Sequence, residues 1–330
     1  MKKIYILFLS LFFVVLHIAS ADNFSTFTLI QKIPLPGVKG RLDHMAIDLK
    51  GGRLFIPALG NNTLEVIDLK SGKQIHTIKG LSEPQGVIFV PDSDKLYVSN
   101  GGNGECSIFN ADSFNLLKII QFGEDADNMR YDPATHHIYI GYGSGAIGII
   151  DTVNDKRLGD IKLLAHPEAF EFETSGSKMF INIPASRQVV AADYKKVEVE
   201  NSWQLTNTRE NFPMALDEAS HHLFVGCWSP KKLLILDTLS GKITNELTID
   251  GDADDIFYDV KNKRLLISCG EGFIDVIEQK GLADYNVAER IPTVKGARTS
   301  LFVSETGYYY LAVPAHGSQA AEIQIYQWKI

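Results

Sequence analysis

A motif of about 42 residues recurs along this chain, and no other feature constrains the fold as strongly. Ala46-Ile47-Asp48, Arg130-Tyr131-Asp132, Ala215-Leu216-Asp217 and Phe257-Tyr258-Asp259 each precede a short polar turn. Those turns are Leu49-Lys50-Gly51-Gly52, Pro133-Ala134-Thr135-His136, Glu218-Ala219-Ser220-His221 and Val260-Lys261-Asn262-Lys263. Each is followed by an apolar run of strand character: Leu54-Phe55-Ile56, Ile138-Tyr139-Ile140, Leu223-Phe224-Val225 and Leu265-Leu266-Ile267. Leu96-Tyr97-Val98, Met179-Phe180-Ile181 and Tyr309-Tyr310-Leu311 mark three more copies, which makes seven.

A third strand follows a polar loop in each unit, as in Leu64-Glu65-Val66-Ile67-Asp68 and Leu233-Leu234-Ile235-Leu236-Asp237. A fourth and more polar run closes it, as in Lys73 to Ile78 and Lys242 to Leu247. Four strands in about 40–45 residues is the period of a propeller blade. The fold class expected is therefore all-β, a seven-bladed β-propeller of four-stranded blades. The seventh unit lacks its last strand, and Leu29 to Pro34 reads like Val287 to Pro292, so the N-terminal strand is expected to complete the last blade and close the ring. An unbroken repeat argues against a division into two domains, and residues 22–330 read as one propeller domain.

Leu96-Tyr97-Val98-Ser99-Asn100, with strand endings such as Glu65-Val66-Ile67-Asp68, resembles the YVTN-type β-propeller repeat of exported, YncE-like proteins. The resemblance covers all seven units. It implies the propeller fold and export, and it implies no particular reaction, because members of such families mostly lack an assigned one.

Export is also legible at the N-terminus. Lys2 and Lys3 precede an apolar run from Ile4 to Ile18, and Ala19-Ser20-Ala21 offers a small-x-small cleavage site, so residues 1–21 read as a signal peptide. The run is short of the roughly 20 apolar residues a membrane span needs. The expected product is periplasmic or secreted, without a membrane span and monomeric. The three cysteines suit a disulfide poorly: Cys227 and Cys269 occupy matching positions in successive repeats, which sit farther apart than a disulfide reaches. With 32 Lys and Arg against 40 Asp and Glu, the net charge of −8 opposes a phosphate backbone, so no nucleic-acid partner is expected.

In a propeller the loops entering each blade's first strand rim the axial channel. Counting back five residues from each aligned turn gives Asp43, Gln85, Asp127, Glu168, Phe212, Asp254 and Arg298, and the next column begins with His44 and includes Asn128 and Asp255. Four carboxylates brought together on the axis, Asp43, Asp127, Glu168 and Asp254, repel one another unless a cation intervenes, and a hard ion such as Ca²⁺ or Mg²⁺ suits oxygen ligands. Arginines offer the other solution: Arg298 falls between Asp254 and Asp43, while Arg130 and Arg209 lie near Asp127 and Glu168 in sequence. A catalytic alternative takes Asp127 and Glu168 as acid and base with His44 or His166 as proton carrier, by analogy with cation-dependent propeller lactonases and lyases. The second set of loops on that face adds Asn61, Asn62, Asn100, Asn103, Tyr142, Arg187, Trp228, Glu271 and His316, with Trp228 as the expected stacking anchor for a small molecule or an envelope protein. His136-His137 and His221-His222 belong to turns of the opposite face. No zinc-protease helix, nucleophile elbow, phosphate-binding loop or haem motif occurs. Three roles remain open: a ligand or partner binder, an enzyme using the same mouth, and a scaffold.

Overall fold

The computed structural model describes residues 27–328; the expected signal peptide lies outside them. Seven separate sheets of four antiparallel strands follow one another in a ring. Blade 1 is built from Ala46–Asp48, Arg53–Ala58, Thr63–Asp68 and Lys73–Lys79. The first strands of blades 2 to 6 are Pro84–Val90, Ala126–Asp132, Phe170–Phe172, Arg209–Asp217 and Ala253–Asp259. Blade 7 contains Ser300–Val303, Tyr308–Val313 and Ala321–Trp328, and its outermost strand is Phe27–Leu35. That strand runs antiparallel to Ala321–Trp328, with Phe27 opposite Trp328 and Leu35 opposite Ala321. The sheet edge the seventh repeat lacked is thus supplied from the N-terminal side.

The repeated aspartates have a local cause. Asp48, Asp132, Asp217 and Asp259 are buried, and each accepts a backbone N–H within its own turn, from Gly51, Ala134, Ser220 and Asn262. A carboxylate there satisfies an amide the strand ladder has abandoned. The turn ends on a residue with positive φ in six blades: Gly52, Asp94, His136, His221, Lys263 and Gly307. His136 and His221 are therefore turn residues, as expected, whereas His137 and His222, expected in the same turns, begin the strands His137–Tyr142 and His222–Ser229 because the ladder resumes there. The strand-ending aspartates repeat the device, since Asp68, Asp151 and Asp237 accept from Ser71, Val153 and Ser240.

Seven apolar clusters hold the ring together, one at each blade interface. Leu54 and Ile56 of blade 1 meet Ile33, Tyr310 and Ile323 of blade 7 across the seam. Cys106 lies between blades 2 and 3, Cys227 between 4 and 5, and Cys269 between 5 and 6. All three thiols are buried and free, and the intervening sheet keeps Cys227 from Cys269. Blades 1 and 2 also bond directly at the axis, where His44 N–H donates to Gln85 O at 3.1 Å and Val87 N–H to His44 O at 3.3 Å. Gly86 permits the approach on its other side, because a Cβ there would stand 2.9 Å from Ser99 Oγ and 3.2 Å from Asp127 O. Among the described residues no helix is long and apolar enough to cross a membrane.

Candidate functional site at the axial mouth

The predicted column does converge. Asp43, Asp127, Glu168 and Asp254 all act electrostatically on a single guanidinium, that of Arg41. Arg41 Nη2 lies 3.0 Å from Asp43 Oδ2 and 3.9 Å from Asp254 Oδ2. Arg298 reaches Asp252 Oδ1 at 2.7 Å and Asp254 Oδ2 at 3.4 Å. Thr299 Oγ1 lies 3.2 Å from both Asp254 Oδ2 and the Leu42 carbonyl, fastening blade 7 to its neighbours. On this side of the mouth, blades 6, 7 and 1, charge is compensated by arginine.

The opposite side differs. Arg130 turns away from Asp127 and Glu168 and pairs with Glu171 at 3.3 Å, and Arg209 is exposed at the start of its strand. The expected arginine partners of Asp127 and Glu168 are therefore not there. Among the described residues Asp127 forms an ion pair only with His166, whose Nε2 lies 3.9 Å from its Oδ2, and Glu168 forms none; Arg41 acts on both from farther away. His166 Nδ1 sits 2.7 Å from the Gly143 carbonyl and 3.7 Å from Asp125 Oδ2.

Depth sorts these groups. Side-chain exposure falls from 52% at Asp125 and 34% at Asp252 to 11% at Asp127 and Asp254 and 0% at Asp43. Burial accordingly raises Asp43 to about 7, with Asp127 and Asp254 adding repulsion against the pull of His44 and Arg41. Burial, then the Asp127 charge, raises Glu168 to about 8. For the histidines burial works against charge, yet it is outweighed. Asp255 and Asp43 raise His44 to about 10, and the bonds to Asp127 and the Gly143 carbonyl raise His166 to about 9.

Several expected residues do structural work instead. Asn61 Oδ1 accepts Lys39 N–H, Asn62 Oδ1 accepts Glu83 N–H, and buried Asn100 accepts Ser82 N–H. Gln85 donates to Asp125 Oδ1 at 3.0 Å. Trp228 spends its indole N–H on the Ala253 carbonyl at 2.6 Å and is packed between Phe212 and the Arg298 guanidinium, so it forms the wall rather than an open stacking face. Glu271 pairs with Lys231. Among the described residues no group of three or more His, Cys, Asp or Glu side chains is placed to hold a metal ion, so the expected Ca²⁺ or Mg²⁺ finds no assembled ligand set in the four carboxylates.

Residues the sequence reading missed lie two positions earlier in their loops, at Arg41, Asp125 and Asp252, the position that His166 holds in its own loop. The equivalent positions Glu83, Asp125, Glu210, Asp252 and Gly296 share a positive φ, so the blade-entry loop is itself a repeated structure. A second count, two residues back along each entry loop, would have found them.

Farther along the same first strands lies a chamber of about 220 Å³, open on one side. Its lining comes from the first strands or entry segments of six blades and includes His44, Arg130, Glu171 and Asp255. His44 Nδ1 meets Asp255 Oδ1 at 3.3 Å, and Asp255 Oδ2 accepts Ser300 N–H at 2.7 Å. Burial raises Glu171 against the opposing pull of Arg130.

Fold and mouth together define a seven-bladed β-propeller with an unevenly compensated axial site. No protein-family profile matches the chain, and no curated protein matches it. Solved structures do. A chain of the crystal structure of the mitotic checkpoint complex is 14% identical, with a TM-score of 0.78 and 99% of each chain covered. Kuenenia stuttgartiensis hydrazine synthase is 18% identical, with a TM-score of 0.75 over 87% of this chain and 97% of that one. The WD40 repeats of RRP9 are 11% identical, with a TM-score of 0.77 over 91% and 98%. At such identities the likeness is one of fold.

Proposed function

We propose that this chain is an exported propeller of the YVTN, YncE-like kind that binds a small cationic ligand at the axial mouth. One observation carries the reading: arginines form ion pairs with Asp43, Asp252 and Asp254, whereas on the adjacent blades Asp127 pairs with His166 at 3.9 Å and, among the described residues, Glu168 forms no ion pair. A protonated amine seated between those two carboxylates would supply the missing charge. Glu168 holds its proton to about pH 8, so the amine would displace it and binding would release a proton. Export rests on the lysine-led apolar N-terminus and its Ala19-Ser20-Ala21 site.

The test uses the mature protein with spermidine, choline and Ca²⁺ as probes. A supporting result is a rise in thermal midpoint with an amine, absent in Asp127→Asn/Glu168→Gln, with a calorimetric heat that changes with buffer ionisation enthalpy. No response to either amine, or a response the double variant keeps, overturns it. A second reading draws on the same pair: Glu168 carrying a proton beside Asp127 has the arrangement of a general acid and base. Lactone hydrolysis lost in both single variants would favour that enzyme over a binder.

A further inference from the structure

The chamber beyond the mouth carries an inference of its own, independent of the cationic site. Its walls are mostly apolar: Met45, Ile88, Met129, Phe257 and Leu301 approach from five blades. Two ion pairs interrupt them, and they are not equivalent. In the His44–Asp255 pair both carboxylate oxygens are engaged, one by the imidazole and one by Ser300 N–H. That pair is finished and fastens blade 1 to blades 6 and 7.

The Arg130–Glu171 pair is unfinished. Arg130 sends Nε and Nη2 to the same oxygen, Glu171 Oε1, each at 3.3 Å, and Nη1 to the Met129 carbonyl at 3.0 Å. A guanidinium has five N–H donors, so two stay uncommitted. Glu171 Oε2 accepts no hydrogen bond among the described residues. Both side chains line the chamber and keep about a quarter to a third of their surface open, 30% and 28%.

A cavity with apolar walls and a few convergent polar groups is the usual build of a small-molecule site. Volume and charge narrow the occupant. At about 220 Å³ the cavity lies below the roughly 300–1,000 Å³ usual for ligand pockets, which favours a small occupant. Each ion pair is already neutral. A lone carboxylate or a lone ammonium would add an uncompensated charge beside mostly apolar walls, which is unfavourable. A zwitterion adds none, and its two ends match the two groups left open.

We propose that this chamber binds a small zwitterion with an apolar body, of the class of an α-amino acid with an aliphatic or aromatic side chain. Its carboxylate takes the spare N–H donors of Arg130, its ammonium takes Glu171 Oε2, and its side chain packs against Met129, Phe257 and Leu301.

The experiment is titration calorimetry on the mature protein with L-leucine and L-phenylalanine, and with isovalerate and isoamylamine, which keep the body but carry one charge each. The expected result is saturable binding of an amino acid, at least about tenfold weaker for both single-charge probes. Arg130→Gln and Glu171→Gln should each weaken it comparably, while Asp127→Asn/Glu168→Gln at the mouth should leave it unchanged. Equal binding of a single-charge probe, no binding of either amino acid, or binding that survives Arg130→Gln would each overturn the proposal. The comparison among probes uses unmodified protein, so it stands even where a variant fails to fold. Loss of binding in the mouth variant alone would place the ligand in the upper site and also overturn it.

Discussion

Nδ1 of His44 lies 3.3 Å from Oδ1 of Asp255, joining blade 1 to blade 6 across the axis, while Nε2 of the same ring faces Asp43 at 3.7 Å. One imidazole thereby separates the carboxylate mouth from the apolar chamber. Replacing it tests that partition. His44→Ala leaves Asp255 and Asp43 without their shared cation, and about 3 kcal/mol of stability should be lost, as for a broken buried pair. Urea denaturation measures it, and His44→Gln, which keeps a donor, should recover part of the loss.

Acidity should stabilise this protein over the neutral range. Folded Glu168 keeps its proton to about pH 8, whereas an unperturbed Glu releases it near 4.5. Between those values the native state binds more protons than the unfolded state, so stability falls as pH rises. Asp43 adds the same sign between 3.8 and about 7. His44 does too: its contribution is complete below 6.5 and lost as pH rises through about 10. Thermal midpoints from pH 4 to 9 should decline, and Glu168→Gln should flatten the decline, gaining on the wild type at pH 8 but not at pH 4. A midpoint that rises across this range contradicts the assignment.

Arg41 should matter more than its place in a loop suggests. Arg41→Met strands fully buried Asp43, and about 2 kcal/mol is expected, below the usual cost of a broken buried pair because the guanidinium is partly exposed. Arg41→Met/Asp43→Asn should be more stable than Arg41→Met alone, which a double-mutant cycle in urea will show.

The thiols should be silent. Burial pushes Cys106 and Cys227 up to about 12 and Cys269 higher still. A thiol reagent should label none of the three in the native protein and all three in guanidinium, and reductant should not move the thermal midpoint.

How much of this was legible follows from where each signal resides. The blades could be read because their hairpins are local: Asp48 caps a turn three residues away, and the same spacing returns at Asp217 and Asp259. The closing strand could be read because Leu29 to Pro34 repeats the pattern of an outer strand. The mouth was half legible. Asp43, Asp127, Glu168 and Asp254 fall in one column, but Arg41 and Asp252 sit on irregular backbone where no hydrophobic pattern fixes register. Arg130 went astray for another reason. It is three residues from Asp127, and an odd spacing along a strand turns the two side chains to opposite faces, so closeness in sequence did not mean closeness in space. Compensation of charge around a ring depends on distances between blades, which no single repeat encodes.

The seam between blades 7 and 1 also sets an order of assembly. Lys32 bonds Glu322 at 3.0 Å across 290 positions, so one of the first strands synthesised finds its partner among the last. Each of the other blades takes its four strands from one continuous stretch, whereas the sheet that holds Phe27–Leu35 is complete only with Ala321–Trp328. The entropy of closing so long a loop grows only with the logarithm of its length, so the junction is late without being weak. That makes the strand earliest in the described chain the last piece of the ring to be seated.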